Sequence, residues 1–189
     1  MARSKQPATY DDLLKLPDHL IGEIIDGELV ASPRPAPAHS RATMVLSQDL
    51  GAFDRSTGGP GGPGGWLFLF EPELHLHGDV VVPDVVGWRR ERMSRVPDAA
   101  GIELPPDWVC EVLSPSTARY DRNGKTKIYA REQVGHMWLV DPLNRTLEVF
   151  RLREAEYAPA EVFGGEEKVR ADPFAAIELD LSRWWREAM

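Results

Sequence analysis

Asp107-Trp108-Val109-Cys110-Glu111-Val112-Leu113-Ser114-Pro115-Ser116-Thr117, continuing through Asp121 and Lys125 to Tyr129, is the stretch on which the fold turns. Its first half is a short apolar run closed by Ser-Pro, the pattern of a buried strand ending in a turn. Alternation sets Val109, Glu111 and Leu113 on one face, and Cys110 and Val112 on the other. Glu111 is the anomaly in that run. An ionised carboxylate buried alone is strongly disfavoured, so it calls for a cation, a hydrogen-bond network or a proton. A helix is expected next, from about Asp121 to Glu132, with Lys125 and Tyr129 one turn apart on a shared face.

Upstream, Val80-Val81-Val82-Pro83-Asp84-Val85-Val86 repeats the anomaly, with one acid inside a valine-rich run. If the two strands are neighbours, Asp84 and Glu111 project from one sheet edge towards a common point. Two carboxylates so placed repel unless a hard, oxygen-seeking ion such as Mg²⁺ or Mn²⁺ lies between them, and such an ion keeps waters or substrate oxygens in its other positions. The plainer alternative is that each acid pairs with its own arginine.

The flanking segments predict a mixed α/β chain, a central β-sheet flanked by helices. Tyr10–Leu16 reads as a short helix with acids in its first turn, and Asp26-Gly27 between apolar pairs reads as a β-hairpin turn. Ala42, Val45, Leu46, Leu50 and Phe53 recur at helical spacing, giving an amphipathic helix from about Ala38 to Asp54, with His39 near its start. Residues 66–77 and 79–88 read as two strands around Gly78, and 137–141 and 146–150 as a further pair. A weaker pair is expected at 156–163 and 166–170, then a closing helix over 179–187. The whole, 1–189, reads as one domain, with a core of about 10–152 and a strand-and-helix extension of about 153–189.

Other conspicuous residues have ordinary readings. Gly58–Gly65, rich in glycine and proline, reads as a loop; a phosphate cradle would need a strand before it and a helix after, and the order here is reversed. Arg89-Arg90-Glu91-Arg92 reads as a solvated face more readily than as a phosphate-contacting patch. His75 and His77 share a strand face by alternation, but zinc would need further ligands. The lone cysteine, Cys110, permits no internal disulfide and reads as an inert buried thiol in a reducing cytoplasm. No run approaches the roughly 20 apolar residues of a membrane helix, and Met1–Lys15 has no apolar signal core.

The ordered set Glu23-Ile24-Ile25-Asp26-Gly27-Glu28-Leu29, Pro83-Asp84-Val85-Val86, Glu111-Val112-Leu113-Ser114-Pro115-Ser116-Thr117, Asp121-Arg122 with Lys125 and Tyr129, and Trp138-Leu139-Val140-Asp141-Pro142 resembles the Uma-type restriction-endonuclease family. That bacterial family lies within the PD-(D/E)XK nuclease superfamily. The resemblance implies a restriction-endonuclease-like core and a Mg²⁺- or Mn²⁺-dependent endodeoxyribonuclease. Asp84, Glu111 and the backbone carbonyl of Val112 would be metal ligands. Leu113 stands where the superfamily usually has its lysine, and Lys125 on the following helix takes that role instead. Glu23 matches the family's N-terminal acid, His39 a histidine often found there, and Tyr129 a supporting group on the lysine's helix.

A homodimer is the expected assembly, since two-fold symmetry matches that of a duplex. The formal charge of −8 makes DNA affinity weak and salt-sensitive by expectation. It also supports a rival reading, a non-catalytic dimeric interaction protein that retains the fold. A third is a metal-dependent hydrolase of another phosphate ester, using the same carboxylates.

Overall fold

The computed structural model describes residues 6–55 and 63–186. The chain opens with a short helix, α1 (Tyr10–Leu13), and the hairpin β1 (Leu20–Ile25) and β2 (Glu28–Pro33). Asp26 and Gly27 turn that hairpin at φ of 52° and 75°, the left-handed pair that a two-residue turn demands. α2 (Pro37–Leu50) starts with proline in its first turn and buries His39, Ala42, Thr43, Val45, Leu46 and Leu50. It ends at Leu50, four residues before the expected Asp54, with Gly51 as its C-cap, yet Phe53 remains buried. The greater part of the glycine-proline run, residues 58–62, lies outside the described residues.

The two long strands expected at 66–77 and 79–88 are each broken in two, and the break builds the site. β3 (Trp66–Phe70) pairs with β6 (Val85–Arg89), while β4 (Leu74–Leu76) pairs with β5 (Asp79–Val81). They form one hairpin, tipped by a turn at His77-Gly78 and bent at residues 71–73 and 82–84. Pro83 has no N–H to give a ladder, the register sets Pro72 against it, and Glu71 opposite Asp84 adopts φ 45°, so regular pairing stops at the bend. The tip joins β1 in a four-stranded antiparallel sheet, β2-β1-β5-β4, and the base joins the main sheet. Asp84 therefore sits in the bend just before β6, and not inside a strand as its valine-rich surroundings suggested.

β7 (Trp108–Val112) runs antiparallel to β6 and parallel to β8 (His136–Asp141). The parallel pair requires a crossover, supplied by α3 (Ala118–Tyr120), a π-helical turn (Asp121–Lys125) and α4 (Thr126–Arg131). β9 (Thr146–Arg153) and β10 (Glu156–Gly164) complete a six-stranded mixed sheet, β10-β9-β8-β7-β6-β3. Pro159 falls on its edge strand, where the missing N–H is tolerated. The strand at 156–163 pairs with β9, not with the segment after it as expected. β11 (Lys168–Val169) instead pairs with β12 (Leu179–Asp180). α5 (Ser182–Trp185) is shorter than the closing helix expected, because Leu179 and Asp180 are taken by that bridge.

The alternation read in β7 separates two cores. Cys110 and Val112 pack with Ala42, Val45 and Leu46 of α2 and with Trp138 and Trp184. Val109 and Leu113 pack on the opposite side with Ile128 and Tyr129 of α4. The C-terminal segment is woven into the first core: Phe174 touches the rings of Trp66, Trp108 and Trp138, and Trp184 Nε1 donates to Asp49 on α2 at 2.9 Å. Among the described residues no helix is long and apolar enough to cross a membrane.

Candidate active site

Asp84 is held by both layers. The register Val85↔Cys110 brings the residue before β6 alongside the end of β7. There its Oδ2 accepts the Val112 amide at 2.7 Å, in place of the ladder partner that the bend removes. Its Oδ1 lies 3.1 Å from Nε2 of His39, in the first turn of α2. Burial opposes charging of His39, but the Asp84 carboxylate, the more distant Asp121 and the Val112 backbone together raise its pKa. His39 is thus a direct partner of Asp84.

Glu111 is gripped from the other face. Tyr129 donates its hydroxyl to Oε1 at 2.5 Å, and Lys125 Nζ donates to Oε2 at 3.3 Å. Lys125 also lies 2.9 Å from Glu23 Oε1 and 3.3 Å from Asp121 Oδ1, and 3.4 Å from the Val82 carbonyl. Glu23 in turn accepts the Val82 amide at 2.8 Å, which ties β1 to the bend. The π-helical turn explains how Asp121 and Lys125 both face inward: the locally widened helix buries both side chains. Sequence reading missed Asp121 as a site residue; its spacing of one turn before Lys125 was the available signal.

Four buried or nearly buried carboxylates, Glu23, Asp84, Glu111 and Asp121, surround one lysine and one histidine. Burial drives Glu111 well above the usual carboxylate range, and the charges of Asp121, Asp84 and Glu23 push it further; Lys125 opposes them. Burial disfavours the Lys125 ammonium, but Glu111, Glu23 and Asp121 hold its pKa well above that of a free lysine. Tyr129 is raised by burial and by Glu111, so it remains a phenol and a donor. Cys110, wholly buried and beside the same charges, is raised as well and stays a thiol.

The remaining conspicuous side chains lie elsewhere. His77 sits in the hairpin turn and meets Glu132 at 2.7 Å, whereas His75 meets Glu73 at 3.1 Å, so the two imidazoles do not form a pair. Arg90 and Arg92 pair with Asp54 and Asp107, and Arg89 lies over the Trp66 ring. That run is a structural surface network.

The donor chemistry suits a hard divalent ion. Carboxylate oxygens of Asp84 and Glu111 and the Val112 carbonyl are the kinds of ligand Mg²⁺ takes. Asp121 Oδ1 is buried and, though near the Lys125 charge, makes no hydrogen bond. Among the described residues no three His, Cys, Asp or Glu side chains are grouped tightly enough to hold an ion between them. A Mg²⁺ ion here would depend on one or two carboxylates, with water and substrate oxygens for the rest, its common mode at phosphate sites.

Asp84, Glu111, Lys125, Glu23, His39 and Asp121 all line one cavity of about 230 Å³ at the carboxyl end of β7. Over residues 8–182 the sequence matches the Uma2 family, described as "Putative restriction endonuclease". The chain belongs to the Uma2 family. Its fold is also that of a solved relative, the crystal structure of a "putative nuclease belonging to DUF820" from Anabaena variabilis ATCC 29413. The two share 23% identity at a TM-score of 0.75, over 97% of this chain and 100% of that one. No curated protein matches the chain. The Uma2 assignment and the shared fold agree with the order of motifs in the sequence, and the convergence of Asp84, Glu111 and Lys125 gives those motifs a common location.

Proposed function

We propose that this Uma2 protein is a divalent-metal-dependent endodeoxyribonuclease. The observation that carries the reading is the meeting of Asp84, Glu111 and Lys125 in one cavity, from the bend, the strand and the following helix. Asp84, Glu111 and the Val112 carbonyl would hold Mg²⁺ or Mn²⁺, with Glu23 behind them. When bound, such an ion polarises a phosphoryl oxygen and lowers the pKa of water. His39 fixes the orientation of the Asp84 carboxylate, and Tyr129 that of Glu111.

Lys125 acts as a cation. With its pKa raised by three carboxylates it cannot take a proton from water at neutral pH. It is suited instead to offset negative charge that builds on the phosphoryl group during attack. Water adds to phosphorus as its proton passes to solvent. The bond to the 3′ oxygen breaks, that oxygen takes a proton from solvent, and the family resemblance implies a 5′-phosphate end. The chain's −8 charge keeps affinity for DNA low and salt-sensitive, and a homodimer would present two such sites to the two strands.

Nicking of supercoiled plasmid tests the reading. Cleavage with Mg²⁺ or Mn²⁺ that stops in EDTA, and that Glu111→Gln abolishes, is the expected result. The absence of cleavage under every divalent ion would remove the nuclease reading.

One observation favours the rival, a non-catalytic interaction protein. Lys125 already pairs with Glu23, Glu111 and Asp121, so the cluster can stand as a structural ion-pair network. Calorimetric titration with Mn²⁺ separates the two, since a purely structural network takes up no ion.

A further inference from the structure

The mouth of the cavity differs in chemistry from its floor. One wall is the segment Pro33-Arg34-Pro35-Ala36, which links β2 to α2. Prolines on both sides of Arg34 fix much of its backbone in advance. The Arg34 side chain is exposed, and its NH2 nitrogen donates to the Asp18 carbonyl at 3.1 Å. A guanidinium has five N–H donors, so this tether leaves most of them for a ligand. The turn after β7 lines the same cavity. Ser114 Oγ lies 2.9 Å from Ser116 Oγ and 3.0 Å from Thr117 Oγ1, and Ser116 is exposed. Arginine and clustered hydroxyls facing one opening are the groups that bind phosphate oxygens.

The charges of Arg34 and Asp84 both act on Glu71. Glu71, at the bend, is raised by burial and by Asp84, while His39 and Arg34 draw it down. Arg34 and Asp84 line the same cavity. The lining also lacks something informative: it contains no Phe, Tyr or Trp among the described residues. Stacking a base requires such a ring or a flat guanidinium, and Arg34 is the one arginine in the lining.

We propose that Arg34 with Ser114, Ser116 and Thr117 forms a subsite for a backbone phosphate next to the one under attack. The substrate is then held by its phosphates and not by its bases. This rests on the nuclease reading above and adds how the strand is held. It makes the protein indifferent to base sequence at the site. Arg34 is a positioning residue, since it does not reach the reacting phosphate.

The test measures binding of fluorescent 16-mer oligonucleotides, one A/T-rich and one G/C-rich, to full-length protein in Ca²⁺ over a series of NaCl concentrations. Arg34→Ala should weaken both oligonucleotides by roughly the same factor, on the order of tenfold. It should also reduce the slope of log K against log[salt] by about 0.7–0.9, one phosphate's share. Arg34→Lys should restore the slope, and Ser116→Ala should weaken binding without changing it. An unaltered thermal melt for these variants excludes misfolding as the cause. Equal binding and slope in wild type and Arg34→Ala overturns the subsite alone, if the wild type still nicks plasmid in Mn²⁺. A loss confined to one base composition also overturns it. The expected pattern without plasmid cleavage keeps Arg34 as a phosphate contact but removes the nuclease reading and, with it, the place of that contact beside an attacked phosphate. A wild type that binds neither oligonucleotide overturns both.

Discussion

The Tyr129 hydroxyl donates to Oε1 of Glu111 at 2.5 Å, one helical turn beyond the lysine that approaches Oε2. Both acceptor oxygens of the strand carboxylate are thus engaged by a single helix. Tyr129 is fully buried, so it fills the core beneath the site and orients the acid above it. Tyr129 thus both packs and donates a hydrogen bond.

Tyr129→Phe keeps the packing and removes the donor. Hydrogen bonds to charged groups contribute about 1.5–3 kcal/mol, and the abandoned carboxylate oxygen is buried. Urea denaturation should therefore show a loss of about 1.5–3 kcal/mol at neutral pH. A variant as stable as wild type would mean that Glu111 finds another donor or is already protonated.

Glu111→Gln separates metal linkage from charge repulsion. In wild type at a hundredfold excess of Mn²⁺ over Kd, binding contributes about 2.7 kcal/mol. That is a rise of about 5–10 °C in melting temperature at this chain length. The variant should show no such rise. In EDTA the pH dependence has a definite sign. The folded-state pKa of Glu111 lies above its unfolded value, so its contribution to stability is complete below about pH 4.3 and is lost as pH rises through the folded pKa. Melting temperatures at pH 5 and pH 8 should show the variant gaining on wild type at the higher pH. An equal difference at both would mean that Glu111 ionises as easily folded as unfolded.

Lys125 carries a structural burden, because its ammonium is buried among three carboxylates. Lys125→Met retains the apolar stem but leaves Glu23, Glu111 and Asp121 facing one another with no cation. Removing one partner from a buried charge cluster is typically destabilising by about 3–5 kcal/mol. The variant should be markedly less stable at pH 8 and recover as pH falls and the carboxylates take up protons. Plasmid cleavage should be lost even at temperatures where the variant is folded. Wild-type stability at pH 8 would show that the ion pairs contribute little.

How far the sequence discloses this arrangement follows from what each signal depends on. Alternation in β7 is local, so it placed Glu111 on the face of Val109 and Leu113 correctly. The Asp26-Gly27 turn is equally local. The bend at 82–84 is not, because a valine-rich run looks the same whether it serves one sheet or two; only Pro83 hinted at the break. The pairing of β11 with β12 links residues about ten apart through a segment without periodicity, and so was misassigned. Asp121 was missed because its burial depends on the π-helical turn, which its spacing to Lys125 alone does not reveal. The partners of Lys125 come from β1, β7 and the turn, so that its burial is a property of the assembled fold.

Gly124 tests that packing. It lies inside the π-helical turn, between Asp121 and Lys125, where alanine would ordinarily favour a helix by up to about 1 kcal/mol. A Cβ there, however, would stand 2.9 Å from Cγ2 of Ile25, closer than van der Waals contact permits. Ile25 is buried at the end of β1, and its branched Cβ gives Cγ2 little room to retreat. The clash therefore outweighs the propensity, and Gly124→Ala should lose about 1–3 kcal/mol. It should also move Lys125 relative to Glu23 and lower the rate of any cleavage. Ile25→Ala alone should cost about 2–5 kcal/mol by opening a cavity. The double variant should be more stable than the sum of the two losses implies, because the new methyl enters the space that Cγ2 vacates. Strict additivity in urea denaturation would mean that the helix yields instead of the isoleucine, and that the π-helical turn is not held by β1.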